Sequence, residues 1–414
     1  MLFRSPTPSL ILVPARFKTG KLYTPLATTS GGTVLGASGD FNVTRATNAT
    51  RVNASGLIEV VASGVPRLDY YTSGGVAGCP ALLVEPQAQN LYQQSEDFTN
   101  AYWSKTNSSI SGNQTTAPDN TLTADKLIMN NGILPNAANQ SGFNRTEVIT
   151  SSAYRFSIFA KSAEFTGFRV RENAVEGTFL DVNLSNGTIT NGSVAQFINP
   201  SAQNYGNGWY RISWTSPTIT NLNKYSIRVG STGDGTSGIF IWGAQVETGS
   251  VATSYIPTTT ASVTRNADDI SRSAISGCIG QTEGTIYAEV DIRALSQARI
   301  FLNIVDSGDG FASRIRLGIT SGNVLYGLVS AATKNANTAT TGIYKMALAY
   351  DSSGFVIYVN GTSYGTNAQT TGGTKSVIGI GFNPAAADYA NDRIRSVALY
   401  TTRLTNAQLQ ALTT

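Results

Sequence analysis

Two short stretches set chemically capable side chains in register. In NGWYRISWT (207–215), strand alternation puts Trp209, Arg211 and Ser213 on one face and Tyr210, Ile212 and Trp214 on the other. An indole beside a guanidinium is what holding a sugar requires. The ring covers the apolar C–H face, and the guanidinium supplies a planar set of donors. Trp103, in SEDFTNAYWSK (95–105), is a further ring of this kind. The competing reading makes Trp209 a structural residue at a strand start, covered by a loop, and Trp103 a packing residue, since Trp is highly buried on average. In EVDIR (289–293), Glu289 and Asp291 also share a face. Carboxylate catalysis needs two acids facing each other across a cleft, whereas a solvated strand face needs nothing more than this spacing.

The chain has no histidine, which removes Ser-His-Asp and Cys-His machinery and His-ligated metals. Oxygen-ligated calcium remains open: Asp306 and Asp309 in DSGDG, and Glu96 and Asp97, carry suitable atoms. None of these completes a loop motif, and loop acids are usually turn formers. No other cofactor is expected. Cys79 and Cys278 fit neither a zinc site nor a CxxC pair and read as reduced, mostly buried thiols, with a bridge the lesser alternative.

The elements that position these residues are strands. Only 13% of residues are charged, against 41 Gly and abundant Thr, Ser and Asn, a mixture suited to short strands and tight turns. A net charge of +4 without a basic run argues against a nucleic-acid partner. No apolar run is long enough to insert in a membrane, and Leu10–Val13 lacks the pattern of a secretory signal. The 414 residues leave room for two or three domains.

The chain divides around residues 243–269. Ile239 to Glu247 reads as a strand apolar on both faces, with Phe240, Trp242, Ala244 and Val246 on one side and Ile239 and Ile241 on the other. Gly249, Pro257 and the Thr/Ser-rich run to Thr264 then lead into a connector. Before it, Tyr154/Phe156/Ile158 and Tyr225/Ile227/Val229 alternate with Arg155/Ser157 and Lys224/Ser226/Arg228. After it, Ile286 to Ile292, Ile315 to Ile319 and Tyr344 to Tyr350 alternate in the same way. Thr405 and Gln408 are spaced for a capping box of a terminal helix. Residues 1–85, with prolines at 6, 8, 14, 25 and 66 and a Gly-rich stretch over 30–39, read as an extended N-terminal arm that packs on its own following domain or on partner chains. The boundaries are 1–85 arm, 86–257 first sandwich, 258–281 linker and 282–414 second sandwich. The fold class is all-β: two antiparallel β-sandwiches (jelly rolls) in tandem after the arm.

Longer motifs carry a resemblance. FNVTRATNATRVNASGLIE (41–59), VPRLDY (65–70) and GCPALLVEPQAQNL (78–91) resemble the N-terminal region of fibre and adhesion proteins of tailed bacteriophages. SEDFTNAYWSK, APDNTLTADKL (117–127), FLDVNLSNGTITNGS (179–193) and NGWYRISWT together resemble the jelly-roll carbohydrate-binding modules of phage fibres. YKMALAYDSSGFVIYVNG (344–361) and DRIRSVALYTTRLTNAQLQAL (392–412) resemble the laminin-G and concanavalin A-like sandwich. EVDIR resembles the Glu-x-Asp-x-x-Glu strand of concanavalin A-like glucanases, but Ala294 stands where the second catalytic Glu belongs. The resemblance implies a virion protein, assembled in the host cytoplasm. It would attach to virion structural proteins through its arm, form a homotrimer, and bind host surface glycan without catalysis. The alternatives it leaves are a purely architectural capsid or tail decoration protein and a glycan depolymerase.

Overall fold

β-branched and aromatic residues at alternate positions suit a pleated, half-buried surface, and strands account for nearly every element. The structure, a computed structural model, describes residues 7–24, 26–27, 40–135, 142–173, 177–308, 311–383 and 388–414. Among them the one α-helix is Asn406–Thr413, too short to cross a membrane. Its capping box is present, with the Thr405 hydroxyl and the Gln408 side chain each satisfying a backbone N–H of the first turn. Leu409 anchors it against Ala347 and Tyr358.

The first sandwich consists of two six-stranded sheets. One, here the tryptophan sheet, runs in the order Ser108–Thr115, Ala124–Met129, Gly238–Thr248, Tyr154–Ser162, Trp209–Thr215, Ile198–Asn204. The other, the arginine sheet, runs Ser104–Thr106, Gly142–Asn144, Tyr225–Val229, Gly167–Glu172, Phe179–Asn183, Thr188–Asn191. Phe156, Ile158, Ile212 and Trp214 meet Phe168, Val170, Tyr225 and Val229 between them. Alternation assigned the apolar residues of Tyr154–Ser162, Trp209–Thr215 and Tyr225–Val229 to this side.

Gly238–Thr248 departs from simple alternation. Ser157 pairs with Gln245 but Phe159 pairs with Trp242, so one extra residue is taken up at Gly243, whose φ is 62°. A bulge of this kind re-aims the side chains beyond it. Ile239, Ile241, Ala244 and Val246 therefore all enter the core between the sheets, while Phe240 and Trp242 lie on the outer face. The grouping expected from sequence is corrected by that one residue.

The second sandwich has two nine-stranded sheets, and the N-terminal region is woven into both. Phe41–Thr44 lies between Lys21–Leu22 and Asp269–Arg272 in one sheet. In the other, Leu10–Leu12 and Ala81–Val84 lie end to end along the same edge of Asp392–Tyr400. Leu10, Leu12, Phe41, Leu82 and Val84 share one core with Ile286, Leu317 and Leu348. Of the two places expected for the residues 1–85 arm, its own chain or partner chains, the described strands take the first. The segment builds no core of its own and instead completes another. The Gly-rich stretch 30–39 lies outside the described residues. The connector over 258–281 is structured as well, because Val263–Arg265 pairs with Ala88–Asn90. Cys278 is buried and Cys79 exposed, and both are free thiols.

A buried ionic junction ties the segments together. Arg67 pairs with Glu85 at 2.6 Å and with Asp268, Arg45 reaches Asp268 at 2.9 Å, and Arg293 reaches Glu85 at 2.8 Å. Burial alone would push the Glu85 carboxyl up. Arg67, Arg265 and Arg293, with the Ser254 hydroxyl, instead hold it well below the usual carboxylate range. Every lone pair has a donor, as a buried charge demands. The residues come from the Arg-Ala-Thr block, VPRLDY, GCPALLVEPQAQNL, TRNADD and EVDIR. The three stretches that carry the phage resemblance thus each contribute one member, Arg45, Arg67 and Glu85, while Asp268, Arg265 and Arg293 come from later in the chain.

Candidate functional site

The three expected ring and guanidinium residues are all inside the protein. Trp209 is 2% exposed, Arg211 1% and Trp103 3%. Alternation placed Trp209 correctly away from Tyr210 and Trp214, but that second face is also covered. Ile58, Ala117 and Tyr255 close over Trp209, Phe159 and Trp242 to form a separate small core. The Trp209 Nε1–H donates to the Thr116 carbonyl at 3.1 Å, and the Trp103 Nε1–H to the Gln94 carbonyl at 3.0 Å. Arg211 donates to the Thr253 carbonyl at 2.6 Å and to the Ser157 hydroxyl at 3.0 Å. The assignment of Trp209, Arg211 and Trp103 to an open sugar-binding surface is therefore corrected: a ring with a satisfied N–H and no exposed face has nothing to offer a ligand.

The calcium candidates do not converge. Glu96 accepts from the Tyr255 hydroxyl at 3.0 Å, and burial pushes its carboxyl up. Asp97 caps a turn by accepting from the Thr99 and Asn100 N–H groups at 3.1 and 3.2 Å. Asp306 accepts from the Gly308 N–H at 2.9 Å, and Asp309 lies outside the described residues. Among the described residues no group of three or more acids and thiols is placed to hold a metal. Glu289 pairs with Arg395 at 2.7 Å and Asp291 with Arg393 at 3.4 Å, so both carboxylates of EVDIR face cations across the neighbouring strand.

The outer face of the arginine sheet is different. Its register sets Arg169 opposite Asp181 on one side and Arg228 on the other, and Arg171 opposite Phe179 and Ser226. The Arg169 fork grips Asp181 with two contacts of 2.5 Å, and its guanidinium lies 4.4 Å from the centre of the Phe179 ring. Arg228 donates to the Pro135 carbonyl at 3.3 Å. Burial, then repulsion from Arg171 and Arg169, pushes the Arg228 guanidinium down to about 10. Gly142 makes this approach possible, since a Cβ there would lie 2.3 Å from the Ile227 carbonyl oxygen and 2.8 Å from Arg228 Cγ. Arg169 and Arg171 keep 8% and 6% of their surface, Phe179 and Asp181 are half-buried, and Thr190, opposite Asp181, is exposed. Among the described residues, exposure rises from the fully buried Arg228 toward Thr188 and Thr190 of the edge strand.

Sequence reasoning noted Arg228 as a polar-face residue but did not join it to Arg169 and Arg171. The signal was there in RVRE (169–172), where the same alternation applies. What was missing was the pairing of Gly167–Glu172 with Tyr225–Val229, which the intervening chain over 173–224 conceals.

Residues 267–410 match the family described as the concanavalin A-like lectin/glucanases superfamily. Among curated proteins none matches the chain in sequence. Solved structures similar in part include the CBM40 module of the Ruminococcus gnavus IT-sialidase, at 15% identity and a TM-score of 0.29, covering 33% of this chain and 84% of that one. Domain 4 of AbnA, a GH43 arabinanase from Geobacillus stearothermophilus, has 13% identity and a TM-score of 0.29, covering 40% and 82%. A SAP-like pentraxin from Limulus polyphemus has 13% identity and a TM-score of 0.26, covering 31% and 68%. At these values the likeness says nothing of what this chain binds. The C-terminal sandwich is thus similar, over residues 267–410, to the concanavalin A-like, laminin-G-type domains.

Proposed function

We propose that the chain is a virion adhesion protein of a tailed phage, that it binds host surface glycan through the outer face of the arginine sheet, and that it does so without catalysis. One observation carries the choice of surface. Of the two outer faces of the first sandwich, the tryptophan sheet's is consumed by packing, whereas the arginine sheet's keeps the half-buried Phe179 and Asp181 and the exposed Thr190 along its edge. The phage-fibre resemblance of residues 41–91 and the jelly-roll resemblance of 86–257 support the setting. The lectin-type match of 267–410 supports a sugar-related role. The absence of catalysis is supported by Glu289 and Asp291, each committed to an arginine. Attachment falls to the N-terminal region and the copy number to three, as the resemblance implies.

Titration of the purified full chain with host polysaccharide, followed by assay for released sugar, tests this reading. Binding without release is expected. Release points to a depolymerase, and no binding to the architectural alternative, which the burial of every expected sugar-binding ring favours. Light scattering checks the trimer, and a monomer would sink that part.

A further inference from the structure

Glycine directly follows asparagine five times in the chain, at 131–132, 186–187, 191–192, 207–208 and 360–361. Such a pair suits a tight hairpin turn. It also brings a reaction within reach, because the glycine nitrogen can attack the asparagine side chain with no Cβ in its way. A hydrogen bond on that N–H or on that side chain must break first. Four of the five pairs are held in this way. The Gly132 N–H donates to the Gly233 carbonyl at 2.9 Å, Gly187 to Asn183 at 2.7 Å, Gly192 to Phe179 at 2.9 Å, and Gly361 to the Thr413 hydroxyl at 3.1 Å. The side chains of Asn186, Asn191 and Asn360 also accept from the N–H groups of Thr188, Ser193 and Lys345, at 2.9, 3.0 and 2.9 Å. Asn207 and Gly208 differ. Both are exposed, and among the described residues neither the Asn207 side chain nor the Gly208 N–H has a hydrogen-bond partner. They form the tip of the hairpin between Ile198–Asn204 and Trp209–Thr215, at φ of 51° and 80°. The Lys161 side chain lies beside this tip, its Cε 3.4 Å from where a Cβ of Gly208 would stand. A cation there stabilises the negative charge that develops as the amide nitrogen loses its proton.

We propose that Asn207 is a site of spontaneous deamidation, at which the chain ages covalently ahead of its other Asn-Gly pairs. Hydroxide takes the Gly208 N–H proton, and the nitrogen attacks the Asn207 Cγ. The new N–Cγ bond closes a five-membered imide as the Cγ–Nδ2 bond breaks, and the side-chain nitrogen leaves as ammonia with a proton from water. Water then opens the imide. Addition at Cγ gives aspartate, and addition at the main-chain carbonyl gives isoaspartate, whose backbone is one carbon longer. The tip has no slack to take this up. Gly206 packs so tightly on the segment 72–78 that a Cβ there would lie 2.5 Å from the Gly75 carbonyl oxygen. The neighbouring Tyr205 ring stands 5.0 Å from that of Tyr71. Conversion therefore loosens the contact between the first sandwich and the N-terminal segment.

The test incubates the full chain in mildly alkaline buffer, folded and in concentrated urea, and follows each Asn-Gly pair by peptide mass spectrometry. In the folded protein Asn207 should convert faster than each of the other four by about 2- to 10-fold or more, the factor that one retained hydrogen bond imposes. In urea, where all five pairs are released, the rates should draw together. A folded-state rate at Asn207 no higher than at the others overturns the proposal. An equal lead for Asn207 in urea overturns its structural cause. The consequence is read by ageing the parent chain beside Asn207→Gln, whose longer side chain closes a six-membered ring more slowly. The melting temperature should fall with age in the parent and hold in the variant. An equal fall in both overturns the loosening assigned to this turn.

Discussion

Trp209 separates two properties that a strand pattern joins. Alternation decides which face a side chain leaves by; it does not decide what lies over that face. Trp209 leaves by the expected face and meets Ile58, Ala117 and Tyr255, contributed from residues far away in the chain. Trp209→Ala should therefore lower stability by about 3–5 kcal/mol through an unfilled cavity, read as a large drop in melting temperature. A small change would mean that the covering segments are loosely held. Glu85 is the polar counterpart, invisible as a site because its three arginine partners are scattered over more than 200 positions. Glu85→Gln leaves buried guanidiniums uncompensated and should cost about 3–5 kcal/mol. The pH dependence has a definite sign. Glu85 titrates lower in the folded protein than in the unfolded chain, so its stabilisation is fully present above the unfolded value and is lost as pH falls through the depressed folded value. The melting gap between the parent chain and Glu85→Gln should thus hold steady from neutrality to about pH 5 and close only in stronger acid. A gap that closes between pH 7 and 6 would contradict this account.

At the level of elements, strands and their dry faces were legible because most are half-buried and keep period two. Ile286 to Ile292, Ile315 to Ile319 and Tyr344 to Tyr350 all send the expected residues into the second core. Legibility failed where a strand stopped obeying that period. In Gly238–Thr248 both faces are apolar, so hydrophobicity could not report the bulge, and only the strand partners reveal that 157–159 faces 242–245. Gly243 is the residue that makes the shift possible. A Cβ there would lie 3.0 Å from Phe159 Cδ2 and 3.3 Å from Tyr255 Cε2, at a backbone φ of 62° that L side chains rarely adopt. Gly243→Ala should destabilise by about 1–3 kcal/mol, combining the left-handed backbone penalty with crowding. Chemical denaturation of this variant beside a Gly→Ala control at Gly372, where φ is not positive and the nearest atoms lie at 3.9 Å or beyond, measures it. Equal midpoints for the two would show that the bulge bears no strain.

For the molecule as a whole, the family match and the folding unit have different limits. The match begins at residue 267, yet both sheets of the sandwich it describes depend on strands from before residue 85. The sequence hid this because short, proline-flanked strands such as Leu10–Leu12 have too little periodicity to be read, and their partners lie nearly 390 positions away. Cutting the chain at 267 would bare the edge of Asp392–Tyr400 along Asp392 to Ile394 and Val397 to Leu399, and the edge of Asp269–Arg272 that Phe41–Thr44 covers. It would also open the core where Leu10, Leu12, Phe41, Val43, Leu82 and Val84 sit. Unpaired strand edges beside exposed apolar surface template association between copies. Arg293 would at the same time lose Glu85, its partner at 2.8 Å, and become an uncompensated cation. A fragment spanning 267–414 is therefore expected to aggregate or to melt without cooperativity, whereas the full chain, joined through the ionic junction, should unfold with the second sandwich and the N-terminal strands in one transition. Calorimetry and size-exclusion chromatography of the two decide the matter. A soluble, monomeric fragment with a sharp transition near that of the full chain would show that the N-terminal strands decorate the sandwich and do not complete it.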